Sequence, residues 1–238
     1  MQRQALTVAT FNIRSGRGLD DRVDLDRIAH VMRATGAEII GLQEVDRGLA
    51  RTGNTDQAGE LARLTGMRVA FHPTIERGEG HYGIALATSV ECETRFDPLP
   101  RLGDEEPRGV ITAAVEDLRV VNTHLAWQRA PRRPQIERLA ELLRTVVGPT
   151  VVLGDLNTSA RHLRALLEGG MSLDPGRRRT YFGGLGNPAA LVRRIRVHGT
   201  MSRHFDHVLA GGGARIERSW TIPTDASDHV PLAAVVRY

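Results

Sequence analysis

The sequence contains no lysine and only one cysteine, and the scarcity of cysteine excludes two kinds of protein. The single Cys92 cannot form an intrachain disulfide, so a disulfide framework and a cysteine-rich zinc site are both excluded. Aromatic residues make up only 4% of the chain, so surfaces on which bases could stack are few; Trp127 and Tyr181 are the best placed. All 32 residues counted as Lys+Arg are arginines, whose guanidinium groups bind phosphate oxygens in pairs and stay charged.

Long apolar segments are also missing. No run approaches the roughly 18 apolar residues of a membrane-spanning helix, and residues 1–10 lack the apolar segment of a signal peptide. We therefore expect a cytoplasmic protein with no transmembrane segment. The 238 residues, 41% of them hydrophobic, suit one α/β domain over residues 1–238, expected to be a monomer. The net charge of +4 fits a polyanionic or phosphorylated substrate but does not require one.

The spacing of apolar residues predicts an alternation of many strands with a few helices. Helices are predicted over residues 24–35, 55–65, 134–147 and 160–168. Strands are predicted over residues 5–13, 38–42, 67–72, 82–89, 90–96, 109–115, 119–124, 204–210, 214–222 and 230–238. Residues 204–210 and 214–222 are expected to pair across three glycines. Because the strands outnumber the helices, the pattern favours two mixed sheets with helices outside them.

Residues 151–159 read VVLGDLNTS, a buried strand followed by polar residues. Side chains alternate between the two faces of a strand, so Asp155 and Asn157 should point the same way while Leu156 turns back to the core. Asp and Asn are also common in turns, because their side chains satisfy local backbone groups. This segment alone does not decide between a turn and a functional site.

Polar residues recur where other predicted strands end, and their number favours a site. The positions are Asn12, Glu44, Asn122, His124, Asp155, Asn157, Asp206, Asp228 and His229. Each one alone is explicable as a cap or turn residue, but together they suggest one convergent site. Oxygen ligands and histidines without cysteine suit Mg²⁺ or Mn²⁺, with Ca²⁺ as a further option.

Seven short segments carry a family resemblance in a fixed order. They are TFNI (10–13), LQEV (42–45), PRG (107–109), NTHL (122–125), GDLN (154–157), FDHV (205–208) and SDH (227–229). The ordered set strongly resembles the endonuclease/exonuclease/phosphatase superfamily, which includes DNase I-like nucleases, AP endonucleases, inositol polyphosphate phosphatases and neutral sphingomyelinases. The resemblance implies a four-layered α/β/β/α sandwich of two mixed, mainly antiparallel sheets. It also implies divalent-metal-dependent hydrolysis of a phosphoester.

The resemblance further implies a role for the residues that would meet the metal and the nucleophile. Glu44 would be the principal metal ligand, with Asn12 and Asp228 near the same ion. Asp155 would orient or deprotonate the attacking water. Asn157 would hold the phosphate or the nucleophile. Whether one or two metal ions bind stays open.

The histidines and the remaining polar residues receive roles in the same way. His229, oriented by Asp206, would act in acid–base chemistry or charge stabilisation, so the general base is either this residue or Asp155. His124 would bind the phosphate or protonate the leaving oxygen. Arg108 and Asn122 would contact substrate phosphate.

The chain departs from the family pattern at three places. Tyr82-Gly83-Ile84-Ala85 lacks an asparagine that is common there. DNase I-like members support the histidine of the Asn-Thr-His motif with an acidic residue, for which Glu76 and Glu79 are nearby candidates. Residues 199–206 lack the tryptophan-containing segment of inositol phosphatases. The motif at 122–125 is closer to the DNase-like, toxin-like and sphingomyelinase-like branches than to AP endonucleases.

Three functions stay open. A phosphodiesterase or endonuclease acting on DNA or RNA is favoured by arginine clusters at 129–133, 177–179 and 193–196. A phosphatase or sphingomyelinase-like phosphodiesterase, acting on a small phosphorylated or lipid substrate, suits the compact chain. A non-catalytic binding module is the least favoured, because the chain retains every residue of the expected site.

Overall fold

The computed structural model describes residues 4–174, 176, 178–182 and 203–238. The strands, in chain order, are β1 (Ala5–Asn12), β2 (Ile39–Arg47), β3 (Arg68–Arg77), β4 (Gly80–Thr88), β5 (Thr94–Pro98), β6 (Gly109–Val115), β7 (Leu118–His124), β8 (Thr150–Asp155), β9 (Ser172–Leu173), β10 (Asp206–Gly211), β11 (Arg215–Thr221) and β12 (Leu232–Arg237). The α-helices are α1 (Leu25–Ala34), α2 (Gln57–Thr65), α3 (Arg129–Arg144) and α4 (Arg164–Glu168).

The strands form two six-stranded sheets. One has the order β11-β12-β1-β2-β4-β3 and the other the order β5-β6-β7-β8-β10-β9. The pairs β1–β2 and β7–β8 are parallel, and the other pairs are antiparallel. Both sheets are therefore mixed and mainly antiparallel, which confirms the expectation from the sequence.

Alternation along the strands builds three apolar clusters and so sets the layer order. In β8, Val151 and Leu153 face the first sheet, whereas Val152 packs with residues of α3 and α4. In β2, Ile39 joins the cluster between the sheets, whereas Ile40 packs with residues of α1 and α2. Helices thus cover the outer face of each sheet, and the four-layered α/β/β/α sandwich is confirmed.

The inner face of each sheet changes from apolar to polar at one end of the strands. In β1 the inward residue Val8 is followed, at the same alternation, by Thr10 and Asn12. In β8, Leu153 is followed by Asp155 in the same way. Because the alternation has a period of two, these polar side chains enter the space between the sheets. The functional site is built at this polar end.

Several predicted elements differ from the observed ones. Strands β2 and β3 each end five residues beyond their predicted ends. Helix α3 begins at Arg129, five residues before the predicted start, so that Pro134 lies inside it; Pro131 falls in the first turn, where a missing N–H removes no helical hydrogen bond. Strands β10 and β11 do not pair, so the predicted hairpin is wrong. The two neighbours of β10 are β8 and β9 in the second sheet, and β11 pairs with β12 in the first. Among the described residues, no helix combines the length and the apolarity that crossing a membrane takes.

The side-chain carboxamide of Asn122, in the second sheet, contacts the first sheet beside Gly41. Asn122 is fully buried, and its Nδ2 donates to the carbonyl oxygens of Ala85 (2.9 Å) and Leu42 (3.2 Å). Its Oδ1 accepts a hydrogen bond from Gln43 Nε2 at 2.8 Å. A Cβ atom at residue 41 would lie 2.5 Å from that Oδ1, so this approach of the sheets requires glycine.

We therefore expect Gly41→Ala to lower the free energy of unfolding by about 1–3 kcal/mol, because the methyl group displaces the Asn122 carboxamide. Urea unfolding at neutral pH measures the change. Gly169→Ala is the matched control, since a Cβ at the end of α4 meets its nearest neighbour at 3.3 Å and the residue has a negative φ. Equal losses in the two variants would contradict this account of Gly41.

Candidate active site

One oxygen of Asp155 lies at the centre of the polar end. Asp155 Oδ2 accepts a hydrogen bond from Asn12 Nδ2 at 3.0 Å. The same oxygen lies 3.5 Å from His124 Nε2 and 3.7 Å from His229 Nε2. These residues come from both sheets and from the loop before β12, and all four are buried. The structure therefore brings widely separated parts of the chain to a single carboxylate.

The turn after β8 combines the two interpretations of residues 151–159. Asp155 Oδ1 accepts a hydrogen bond from the backbone N–H of Asn157 at 2.9 Å, which is the local contact of a turn. Leu156 is fully buried in the cluster beneath α3 and α4. Asn157 has a φ of +50° and reaches back to the site, where its Nδ2 lies 3.1 Å from His124 Nε2. The turn leaves the second oxygen of Asp155 free to act in the site.

Glu44 reaches the site through a β-bulge. Simple alternation would place it with Ile40 and Leu42, on the face that α1 and α2 cover. The register between β2 and β4 instead shifts between Leu42 and Val45, and Glu44 has a φ of +57°. The bulge turns the side chain toward β1, where Asn12 Nδ2 donates to Glu44 Oε1 at 3.0 Å. A non-glycine residue in this conformation is strained, as is common at functional sites.

The two ends of His229 contact two carboxylates. Its Nδ1 lies 2.8 Å from Asp206 Oδ2, so Asp206 fixes the orientation of the ring as expected. Burial opposes protonation of the ring, but the negative charges of Asp206, Asp155 and Asp228 outweigh it and raise the pKa of His229 to about 10. The ring is therefore a cation at neutral pH, with Nε2–H directed toward Asp155.

The carboxyl group of Asp155 is the opposite case. Burial, followed by the like charge of Asp206, raises the pKa of Asp155 to about 7. The positive charge of His229 and the hydrogen bond from Asn12 oppose this rise. A carboxylate with a pKa near neutrality can accept a proton at neutral pH, as a general base must.

His124 differs from His229 because its partner is an arginine. Arg108 Nη1 lies 2.8 Å from His124 Nδ1, and a guanidinium group has only N–H donors, so Nδ1 must accept. Burial, followed by the positive charges of Arg108 and His229, lowers the pKa of His124 well below its ordinary value. The ring is therefore neutral, with its proton on Nε2. The supporting residue expected from the family pattern was acidic, Glu76 or Glu79; the structure places Arg108 there.

His124, Asn157 and His229 present hydrogen-bond donors to one cleft. Nε2 of His124 and Nδ2 of Asn157, both donors, lie 3.1 Å apart, so their N–H groups must point to the side, while the other N–H of Asn157 donates to Leu125 O at 2.8 Å. Two donors at this distance suit one shared acceptor, such as a phosphate oxygen. Protonated His229 lines the same cleft, whose volume is about 350 Å³. This part of the site can bind an anion.

Further charged and aromatic residues line the cleft. Arg108 also donates through Nη2 to Glu106 Oε2 at 3.0 Å, and Arg77 donates to the other oxygen of Glu106 at 3.0 Å. The remaining lining residues are Arg14, Arg51, Tyr82, Trp127 and Tyr181. Of these, the sequence singled out only Trp127 and Tyr181, as surfaces on which bases could stack. No signal in a single sequence separates the other three from ordinary residues.

A buried network fixes Arg14 beside the cleft. Asp46 is fully buried and accepts hydrogen bonds from Ser15 Oγ (3.1 Å) and from two nitrogens of Arg51 (2.7 and 2.8 Å). These contacts hold Arg14 and Ser15, whose φ angles are +49° and +51°. Arg14 Nε then lies 3.8 Å from Asp228 Oδ2. The network positions this arginine at the acidic edge of the site.

Asn122 is the expected site residue that lies apart from the cleft. Its carboxamide is fully buried and engages Gln43, Leu42 and Ala85 between the sheets. We therefore infer a structural role for Asn122 in place of the expected contact with phosphate. Of the arginine clusters, residues 129–133 lie in α3, whereas Arg177 and residues 193–196 lie outside the described residues.

Two groups of side chains could hold a divalent metal ion. Asn12, Glu44 and Asp228 offer oxygen ligands, and both carboxylates line the cleft. Burial raises the pKa of Glu44, and the like charge of Asp228 adds to this effect, against the hydrogen bond from Asn12. Ligand atoms of Asp155, Asp206 and His229 also lie within 4.8 Å of one another. Protonated His229 already contacts both of those carboxylates, whereas Arg14 offsets only one of the charges of Glu44 and Asp228, so the pair Glu44 and Asp228 fits a divalent cation better.

Asp206→Asn is expected to lower the pKa of His229 by about one to three pH units, because a neighbouring negative charge is lost while burial remains. NMR titration of the imidazole in EDTA measures this. Because the pKa of His229 is higher in the folded protein than in the unfolded one, protonation of His229 stabilises the fold. This stabilisation is complete below the unfolded pKa, near 6.5. It is lost as the pH rises through about 10 in the wild type, and at lower pH in the variant.

Asp174→Asn is the control, since it removes another buried carboxylate that has no hydrogen bond within the described chain. It should leave the titration of His229 nearly unchanged. A wild-type His229 that titrates near pH 6.5, or an Asp206→Asn variant that titrates like the wild type, would contradict the assignment.

Comparison with solved structures finds the same fold in proteins of low sequence identity. An endonuclease/exonuclease/phosphatase from Beutenbergia cavernae DSM 12333 superposes with a TM-score of 0.78 at 22% identity, over 99% of this chain and 72% of that one. Bacteroides thetaiotaomicron VPI-5482 mannosyl-6-phosphatase gives 0.69 at 18% identity, over 98% and 100%. D. rerio TDP2 complexed with single strand DNA product gives 0.70 at 13% identity, over 98% and 99%.

No curated protein matches the sequence. The model of the Endonuclease/Exonuclease/phosphatase family matches residues 9–229, which include every residue of the site described above. The resemblance carried by the seven ordered segments is thereby confirmed. The chain belongs to the endonuclease/exonuclease/phosphatase family of phosphoester-hydrolysing enzymes.

Proposed function

We propose that the chain is a divalent-metal-dependent phosphodiesterase, of the endonuclease kind, that hydrolyses its substrate by in-line attack of water. One observation carries the proposal: three residues from distant parts of the chain converge on Asp155 Oδ2, beside the partly buried carboxylates of Glu44 and Asp228. A phosphodiester needs positive charge on its oxygens, a base for water and donors around the developing charge. The proposal treats residues 1–238 as one catalytic domain, because both sheets supply the site.

Glu44 and Asp228, with Asn12 beside them, would hold the cation. Their oxygen donors suit Mg²⁺ or Mn²⁺. When bound, the ion would neutralise phosphate oxygens as a Lewis acid. Asn12 also joins Glu44 to Asp155 through its Nδ2, so the expected metal ligand and the expected base are fixed relative to each other.

Asp155 would take the proton of the attacking water. Its raised pKa, near 7, supports this assignment over His229, which is protonated at neutral pH. Asn157 supports the same step indirectly, since its backbone N–H holds one oxygen of Asp155 and leaves the other in the cleft.

The two histidines would stabilise charge in different ways. Neutral His124, with Arg108 behind it, would donate Nε2–H to a phosphate oxygen together with Asn157. Protonated His229 would balance the negative charge that develops, and it is the better acid for the leaving oxygen, because a neutral imidazole holds its proton far more tightly. Arg108 has its Nε buried without a partner within the described chain, so it acts on substrate mainly through His124.

A phosphatase or sphingomyelinase-like phosphodiesterase acting on a small phosphorylated or lipid substrate is the second candidate. The cleft volume of about 350 Å³ holds a phosphate and one attached ring, and the exposed ring of Trp127 at its edge could pack on a sugar. The fold likeness to a mannosyl-6-phosphatase is of the same order as that to TDP2 complexed with DNA. DNA or RNA remains the first candidate because Arg129, Arg132 and Arg161 lie in the space that adjoins the cleft and form no ion pair with a carboxylate of the described residues.

The proposal predicts metal-dependent hydrolysis of bis(4-nitrophenyl) phosphate and of single-stranded oligonucleotides. Glu44→Gln and Asp155→Asn should each lower kcat/KM by about 10²–10⁴-fold, because one removes a ligand charge and the other the base. Calorimetry should show weaker Mn²⁺ binding in Glu44→Gln, whereas Asp155→Asn should retain it.

Glu76→Gln is the matched control, because this exposed residue of β3 was the alternative support for His124 and lies outside the cleft lining. It should keep wild-type rates. Full activity in EDTA, or full activity of both site variants, would rule out the proposed mechanism. Hydrolysis of phosphomonoesters without any cleavage of diesters would select the second candidate.

A further inference from the structure

A larger cavity adjoins the catalytic cleft and has no part in the chemistry proposed above. Its volume is about 1180 Å³. Trp127, Asn157 and Tyr181 line both spaces, so the cavity and the cleft meet at these residues. A substrate with its phosphoester in the cleft therefore has room to extend past Trp127.

The wall of this cavity is rich in unpaired arginines. By contrast, Arg133 and Arg138 of α3 and Arg164 of α4 each pair with a glutamate three or four residues away. The arginines of the cavity wall form no ion pair with a carboxylate in the described ranges, and residues 183–202 contain no Asp or Glu. The arginines of the wall are Arg129, Arg132, Arg161, Arg178 and Arg203.

The acidic residues of the wall do not cancel this charge. Asp206 is paired with His229, and Asp174 is the other carboxylate that lines the cavity. Asp174 is 5% exposed and its carboxylate has no hydrogen bond within the described chain, so it offsets one positive charge at most. The cavity keeps a clear excess of positive charge.

The first turn of α3 adds to the positive potential. The helix begins at Arg129 and has no acidic residue in its first turn, although the free N–H groups there favour negative charge. Burial and the charges of Arg161, Arg129 and Arg132 lower the pKa of His162 on the same wall. Burial also lowers the pKa of Arg132, and the positive charge of Arg129 adds to this against the negative charge of Asp155. These effects are consistent with positive groups held close together at the cavity wall.

An aromatic group separates the cavity from the cleft. Trp127 is 55% exposed and packs edge-on against Phe205, with ring centroids 5.3 Å apart, and against Tyr181 at 6.0 Å. Arg132 donates to the carbonyl oxygens of Ala126 and Trp127, so the backbone that carries the ring is fixed. A planar or cyclic group of the substrate can pack on the open side of this ring.

From this arrangement we infer that the cavity binds a second phosphate group of the substrate, joined to the scissile phosphoester by a ring-containing group that packs on Trp127. The inference rests on the proposed function and specifies its substrate. Guanidinium groups bind phosphate in pairs, and no carboxylate of the described residues forms an ion pair with these arginines. The second phosphate belongs either to the next nucleotide of a strand or to a small bisphosphorylated molecule.

Matched substrate pairs test the inference in the holoenzyme with Mn²⁺. One pair is the thymidine dinucleotide TpT with and without an added terminal phosphate, placed at either end. The other is a hexose 6-phosphate and the hexose 1,6-bisphosphate. The added phosphate should raise kcat/KM by about tenfold or more, chiefly through KM. A higher kcat/KM in the dinucleotide pair identifies a nucleic-acid strand as the substrate, and a higher kcat/KM in the hexose pair identifies a small bisphosphorylated molecule.

The double variant Arg129→Gln/Arg161→Gln should bring that ratio close to one. Both side chains are exposed at the cavity wall, so the substitutions leave the core intact. Arg119→Gln is the control, because Arg119 is exposed at the opposite end of β7 from His124 and it should keep the full ratio. A ratio near one in the wild type, or an unchanged ratio in the double variant, would overturn the inference.

Direct binding separates this inference from the proposed function. By calorimetry, thymidine 3′,5′-bisphosphate should bind the wild type about tenfold more tightly than thymidine 3′-phosphate. The double variant should lose this preference, and Arg119→Gln should keep it. If the protein shows this binding preference but no hydrolysis, the proposed activity is wrong and the second phosphate site is supported. If it hydrolyses its substrates but shows no preference, the activity is supported and the second phosphate site is wrong.

Discussion

The burial of charge between the two sheets is the constraint on which the site depends. Asp155 and Asp206 project from the inner face of the second sheet and are only 1% and 2% exposed. Burial of an unpaired carboxylate in such a place lowers the stability of the fold by several kcal/mol. The first sheet and the loop before β12 supply the compensation, Asn12 for one carboxylate and His229 for the other. The contacts that stabilise these charges therefore also join the sheets beyond their apolar core. Any change in the spacing of the sheets would disturb the site at the same time.

The two histidines of the cleft have different protonation states because their hydrogen-bond partners differ. Carboxylates surround His229 and favour the imidazolium ion, whereas Arg108 allows His124 only the neutral ring with a proton on Nε2. The pKa of Asp155 falls between these extremes because burial and Asp206 act against His229. Environments that separate the pKa values of neighbouring groups are what acid–base chemistry at neutral pH requires. The DNase I-like pattern places an acidic residue behind the histidine that corresponds to His124. Because Arg108 stands there instead, the site of this chain has a different charge balance.

The number and spacing of the strands predicted two mixed sheets, and the resemblance carried by the ordered motifs implied the four layers. Asp155 and Asn157 do meet in one site, but Asn157 reaches it through a turn with a φ of +50° and not by strand alternation. The bulge that turns Glu44 into the site could not be read in this way, since alternation alone assigns the residue to the helix-covered face. The contact between Arg108 and His124 joins two neighbouring strands and depends on their register, which one sequence does not reveal. The predicted pairing of β10 with β11 failed for the same kind of reason: it depends on which sheet edges other strands already occupy.

The proposal assigns separate tasks to two adjacent groups of acids. Glu44 and Asp228 would bind the cation, and Asp155 with Asp206 and His229 would move and balance protons. Anomalous scattering from crystals soaked in Mn²⁺ would test this division most directly. The account predicts a peak between the carboxylates of Glu44 and Asp228, with His229 still in contact with Asp206. A peak between Asp155 and Asp206, with the His229 ring displaced, would contradict it, and so would no peak at saturating Mn²⁺.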